Sequence, residues 1–238
     1  MLYVPASRED LMFLMPKGGQ VAEIGVARGD FSRRILDAAE PGRLHLIDPW
    51  THQDREDYRN DPSNWSEEEG DALHRSIQVR FAKEVGAGQV AVHRGFSGDV
   101  VSRFPDGSLD WIYIDGLHSY EGVKADLDAF APKIKPDGFI LGHDYAKHEE
   151  AQAMGFGVVE AVDEFVRTQG WAFLALSAER YPTFFLARNA DGATAKGLCL
   201  RILFSVPGVS EIRDFPGRSW EQTILTARQG GTVSLIRF

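Results

Sequence analysis

Two short stretches of the 238-residue chain put carboxylates and imidazoles where they could do chemistry. One is IDGLHSY, with Asp115 and His118; the other is GHDY, with His143 and Asp144. Each follows an apolar run that reads as a buried strand, DWIYI in the first case and FILG in the second. Open α/β sheets bind ligands beyond the carboxyl ends of their strands, and neighbouring strands lie about 4.8 Å apart. Asp115 and Asp144 can therefore converge on one hard cation such as Mg2+, which often takes only one or two protein carboxylates beside water and substrate oxygens. A cation there would hold a substrate hydroxyl and lower its pKa, giving an oxygen nucleophile near neutral pH. Histidine is the natural proton acceptor in that range. His118, in the loop that faces substrate, is the first candidate for the base, and His143 flanks the same carboxylates. The plainer reading of each histidine is a hydrogen-bonded structural role near a strand end.

A second constellation lies upstream in VAEIGVARGD, residues 21–30. A strand delivers the backbone to Gly25, and Gly29 stands where the next helix begins; glycine admits positive φ and close approach to a ligand. The spacing is not the G-x-G-x-x-G that seats a pyrophosphate on a helix N-terminus. Glu23 and Asp30 add negative charge beside the turn, which would repel a pyrophosphate and suit a cation. Asp48, at the end of LHLID about 20 residues on, can accept hydrogen bonds from both hydroxyls of a ribose. A turn or helix cap is the simpler role for such an aspartate.

The elements that must position these groups alternate, as in βαβ units around a mostly parallel sheet. Strands are expected near 20–25, 44–48, 89–93, 110–115, 139–143, 172–176 and 183–187. Helices are expected at 30–39, 67–85, 98–103, 120–134 and 158–169. The last two strands flank ERYPTF, a turn compatible with an antiparallel hairpin at a sheet edge. Within YEGVKADLDAF, Val123, Leu127 and Phe130 mark the buried face and the acids and lysine the exposed one. SEEEGD reads as a solvated helix start. The acidic, aromatic segment 49–71 is long for a loop in a compact domain and reads as a lid or a solvated insertion.

With these pieces in order, VAEIGVARGDFS and LHLIDPW resemble the first two motifs of class I S-adenosylmethionine-dependent methyltransferases. The stretch from DWIYIDGLHSY to GHDY resembles the metal-associated small-molecule O-methyltransferase branch. Asp137-Gly138 stands where a glycine pair is common there. The resemblance covers about residues 21–188 and implies a Rossmann-like, seven-stranded α/β sheet with helices on both faces. It also implies that Glu23, Gly25 and Gly29 cradle the methionine part of the cofactor and that Asp48 binds the ribose. Trp50 would lie on the adenine face, Ser97 and less firmly Phe96 at the adenine edge, and Asp115 beside the cofactor. The implied reaction moves a methyl group onto a hydroxyl of a small acceptor, a sugar or natural-product scaffold, by in-line displacement that needs little beyond positioning. A nicotinamide-dependent oxidoreductase and a non-catalytic binding subunit are the alternatives on such a fold.

Composition sets the outer limits. Apolar residues make up 43% and charged residues 26%, as in ordinary globular chains. The net charge of −9 disfavours nucleic acid as a partner. No run is long and apolar enough to span a bilayer, the N-terminal stretch lacks the pattern of an export signal, and a reducing cytoplasm is the default setting. Cys199 is the only cysteine, so neither an intrachain disulfide nor a cysteine zinc site is available. From Ala190 on, six basic residues meet four acidic ones, against twenty and thirty-one before it. That change of sign divides the chain into a cofactor-binding domain, 1–189, and a β-rich extension, 190–238. NADGATAKG reads as the linker, and LCLRILFSV and TVSLIRF as strands of the extension, which would serve self-association into a homo-oligomer or form an extra sheet flap on the same domain.

Overall fold

The computed structural model describes residues 1–55, 58–59, 61, 63–226 and 232–238. Its strands are β1 (Leu2–Val4), β2 (Gln20–Ile24), β3 (Arg43–Asp48), β4 (Val90–Arg94), β5 (Leu109–Ile114), β6 (Ile134–Gly142), β7 (Ala172–Ser177), β8 (Phe184–Ala187), β9 (Ser210–Glu211), β10 (Glu221–Thr226) and β11 (Thr232–Arg237). Its helices are α1 (Arg8–Leu11), α2 (Asp30–Ala39), α3 (Glu67–Arg80), α4 (Ala82–Gly86), α5 (Ser97–Val100), α6 (Tyr120–Phe130), α7 (Glu149–Ala153), α8 (Val158–Gln169) and α9 (Ala193–Ser205).

The main sheet runs β4-β3-β2-β5-β6-β8-β7-β1-β9. β4, β3, β2, β5 and β6 are parallel, and β8 is antiparallel to both β6 and β7. All seven expected strands are present. Two short strands, β1 beside β7 and β9 at the edge, extend the sheet beyond them; at three and two residues neither offers a readable alternation. Along β5 successive side chains serve opposite faces: Trp111 and Tyr113 join one core cluster, Ile112 and Ile114 the other. α2, α3 and α9 cover the first face through residues such as Ile35, Ile77 and Leu198. α6 and α8 cover the second through Val123, Leu127, Phe130 and Val162, so the expected apolar stripe of α6 does face the sheet.

Chain order reverses between β2 and β5: β3 and β4 lie on one side and β6 on the other. That is the switch point where open α/β sheets leave a crevice at their carboxyl ends.

Local signals account for several boundaries. Ser66 and Glu69 form a reciprocal capping box at the start of α3, with Glu67 and Glu68 in its first turn. The helix expected over 67–85 is instead two, separated at Phe81, whose backbone leaves the helical region and whose ring is buried.

The tail departs from expectation. LCLRILFSV is not a strand; most of it lies in α9, and the supposed linker contributes the first turn of that helix. Ala195, Leu198 and Ile202 recur at helical spacing and are buried against the sheet, while Leu200, Leu203 and Phe204 stay exposed. TVSLIRF does form a strand, β11, paired antiparallel with β10. Trp220 and Ile236 reach into the second core cluster. No helix among the described residues is long and apolar enough to cross a membrane.

Candidate active site

The crevice above β2, β3 and β5 is a cavity of about 670 Å³. One wall is the glycine turn. Gly25 has φ +85°, and a Cβ there would lie 2.0 Å from the carbonyl oxygen of Asp115, so only glycine lets the two strand ends meet. Gly29 is left-handed at φ +74° and caps α2. Glu23, 1% exposed, accepts a hydrogen bond from the Ser32 hydroxyl. Burial lifts its carboxyl to about 8, the Ser32 hydroxyl pulling the other way.

Asp48 spends its carboxylate on the protein itself. One oxygen accepts from the amides of Val26 and Ala27, both at 2.9 Å, and the other from Trp50 N at 2.7 Å. Asp48 therefore ties the glycine turn to the end of β3, and it still borders the cavity. Trp50, expected on the adenine face, borders the cavity with little of its surface exposed. Its ring is 1% exposed, packs tilted against His74, and donates from Nε1 to the Ala27 carbonyl at 2.9 Å. The exposed aromatic of that neighbourhood is Phe96.

Ser97, at the start of α5, donates to Asp126 of α6. Asp126 was expected on the exposed face of its helix; it is instead buried and borders the cavity, and burial raises its carboxyl to about 6. Its helical position was legible, but the hydroxyl waiting 29 residues upstream was not. Segment 49–71 also contributes: Tyr58 and Trp65 line the cavity, whereas positions 56, 57, 60 and 62 of this expected lid lie outside the described residues.

The second half of the site forms where β5 and β6 end. Asp115, His143 and Asp144 each offer a ligand atom, and these atoms lie within 4.8 Å of one another. His143 Nδ1 is 3.4 Å from Asp115 and 3.0 Å from Asp144. Asp144 is held at φ +63°, a strained conformation for a residue with a side chain. His118 bridges outward, with Nδ1 2.9 Å from Asp144 and Nε2 3.2 Å from Asp61, its ring stacked 4.6 Å from Phe156. Asp61 gave no signal in the sequence, since it lies in the long acidic segment far from either motif.

Charge in this cluster is balanced without any added ion. Burial alone would raise the carboxyls of Asp115 and Asp144, yet the facing His143 holds both below the usual range, and His118 helps hold Asp144. Burial opposes charge on both imidazoles, but the carboxylates prevail and lift each to about 10. His118 in this arrangement is an imidazolium at neutral pH, a donor and not the free base expected of it. Arg8 of α1 completes the group, with Nη1 2.8 Å from Asp115 and 3.3 Å from the Tyr113 hydroxyl. Asp115 and His118 open both onto the large cavity and onto a small crevice lined by His143 and Asp144, so the two half-sites adjoin.

Residues 22–145 match the model of a family described as a methyltransferase domain. A curated relative, the uncharacterized protein y4gI of Sinorhizobium fredii, is 42% identical over 85 residues, 36% of this chain. That match spans about 8% of the relative's length. Among solved structures, a SAM-dependent methyltransferase from Aquifex aeolicus superposes with a TM-score of 0.52 at 15% identity, covering 74% of this chain and 84% of that one. Spermidine synthase from Thermotoga maritima does so with a TM-score of 0.50 at 14% identity, over 76% and 57%. At such identities these likenesses speak for the fold, which is Rossmann-like.

Proposed function

The chain belongs to the methyltransferase-domain family, and from that premise we propose that it carries a methyl group from S-adenosylmethionine, the donor, to a hydroxyl of a small molecule. The observation that carries this reading is one cavity bordered at once by Glu23, Asp48, Ser97 and Asp126 and opening at Asp115 and His118 toward the acid–imidazole cluster. The first four suit a nucleoside with a charged amino-acid end. The cluster beyond them suits an acceptor oxygen.

In this reading Glu23 faces the donor's ammonium, Asp48 and the Gly25 turn hold the ribose side, and the Ser97–Asp126 pair reads the adenine edge. Gly25, through its contact with the end of β5, brings the donor's methyl next to Asp115 and His118. The chain's task is then to hold oxygen, methyl and sulfur in line and to keep water out. Tyr58 and Trp65 supply part of that cover.

Two carboxylates and one imidazole, from Asp115, Asp144 and His143, fit a divalent cation; the imidazole makes the set acceptable to Mn2+ as well as Mg2+. Such a cation, when bound, would supply Lewis-acid polarisation of the acceptor oxygen. In this reading His118 takes the hydroxyl proton. To act so it must first give up the proton that Asp144 and Asp61 hold on its ring.

Calorimetric titration of the chain with S-adenosylhomocysteine, and separately with NADH, tests the donor assignment. Saturable binding of the first and none of the second is expected. The reverse would replace this reading with a nicotinamide-dependent one.

A further inference from the structure

A donor with an amino-acid end brings a carboxylate as well as an ammonium, and that carboxylate needs a cation. Four amides of the glycine turn are already engaged: Asp48 takes those of Val26 and Ala27, and the Gly25 and Gly29 amides donate to Ile47 and Val26. The cavity wall is otherwise rich in acids, Glu23, Asp115 and Asp126 among them.

Four positively charged or chargeable side chains border the cavity among the described residues: Arg8, Arg28, Arg55 and His118. Arg28 and Arg55 belong to exposed positions of the turn and the 49–71 segment. His118 is held between Asp61 and Asp144. Arg8 is different. Its side chain is 21% exposed, its guanidinium carbon lies 4.5 Å from the centre of the Phe31 ring, and Nη1 is fixed by Asp115 and Tyr113. Phe31 is the second residue of α2 and borders the same cavity. Nε lies 3.5 Å from Glu9, while Nη2 makes no hydrogen bond among the described residues and keeps its donors for a further anion.

We infer that Arg8 is the receptor for the carboxylate of the donor's amino-acid end, paired across the cavity with Glu23 for the ammonium. The inference rests on the donor assignment made above and adds a residue outside the matched region 22–145. A planar guanidinium stacked on an aromatic ring and anchored along one edge is pre-organised for bidentate contact with a carboxylate. The anchoring also links the donor pocket to Asp115, so one side chain spans both half-sites.

The test compares ligands with and without that carboxylate on three forms of the full chain: wild type, Arg8→Met and Arg8→Lys. The ligands are S-adenosylhomocysteine, its decarboxylated analogue, and 5′-methylthioadenosine, which lacks the amino-acid end altogether. Wild type is expected to bind S-adenosylhomocysteine at least ten-fold more tightly than the decarboxylated analogue. In Arg8→Met that ratio should fall to near one, while affinity for 5′-methylthioadenosine changes by less than two-fold, which also reports that the variant is folded. Arg8→Lys should recover part of the ratio. A ratio that survives in Arg8→Met, or a parallel loss of all three ligands in both variants, would overturn the role of Arg8 and leave the donor assignment standing. Failure of wild type to bind any of the three would instead overturn the donor assignment, and this inference with it.

Discussion

The alpha carbon of Gly25 faces the backbone of Asp115 so closely that a methyl group added to it would sit 2.0 Å from the Asp115 carbonyl oxygen. This contact joins the two half-sites: the turn after β2 is stacked on the end of β5. Gly25→Ala must both strain a residue at φ +85° and push the strands apart. The expected cost is at least about 2 kcal/mol of stability, with loss of S-adenosylhomocysteine binding. Urea denaturation and calorimetry on the same preparation check it; unchanged binding would show that the turn does not shape the donor pocket.

The cluster of Asp115, His143 and Asp144 should take a divalent cation. Manganese binding followed by electron paramagnetic resonance is expected for wild type and weakened ten-fold or more in Asp144→Asn, which removes one of two carboxylates. Equal Mn2+ affinity in both forms would mean that Asp144 does not hold the cation.

Asp126 gives a pH signature. Its carboxyl is raised to about 6 in the folded chain against an ordinary 3.8. Between those values the folded state holds a proton that the unfolded state has released, so stability is present at lower pH and falls as pH rises through 6. Asp126→Asn removes the ionisation. Relative to that variant, wild type should lose stability between pH 4 and 6.5, by on the order of 2 kcal/mol. Urea midpoints measured across this range would show parallel curves if Asp126 were not buried.

Leu198 of α9 is fully buried in the first core cluster. Leu198→Ala is expected to destabilise the whole chain by about 2–5 kcal/mol in a single cooperative transition. A small early transition that leaves the rest of the molecule unaffected would instead mark the tail as a separate folding unit, in keeping with the change of charge at residue 190.

Much of this was readable because period and position agree. DWIYI is apolar on both faces and became a central strand; the E-x-G-x-x-x-G turn, Asp48 and the IDGLH strand end border one cavity at the switch point, and GHDY adjoins it at the end of β6. What escaped was set by tertiary partners. The ring of Trp50 looked available until Ala27 and His74 closed over it. Asp126 looked solvated until Ser97 met it. Arg8 precedes every motif and acquires meaning only when α1 is laid beside Asp115 and Phe31. The strand expected in LCLRILFSV failed for a different reason. A short apolar run satisfies both periods, and the Ala195–Leu198–Ile202 spacing tips it to helix only when read with the residues before it.

The central claim is that this cavity holds a sulfonium nucleoside without phosphates, and a structure of the chain with S-adenosylhomocysteine tests it most directly. The ligand should fill the cavity with its adenine toward Ser97 and Asp126, its ribose hydroxyls at Asp48 and its homocysteine end at Glu23. A cavity left vacant at saturating ligand, or one that takes a phosphate-bearing nucleotide in its place, would contradict the account.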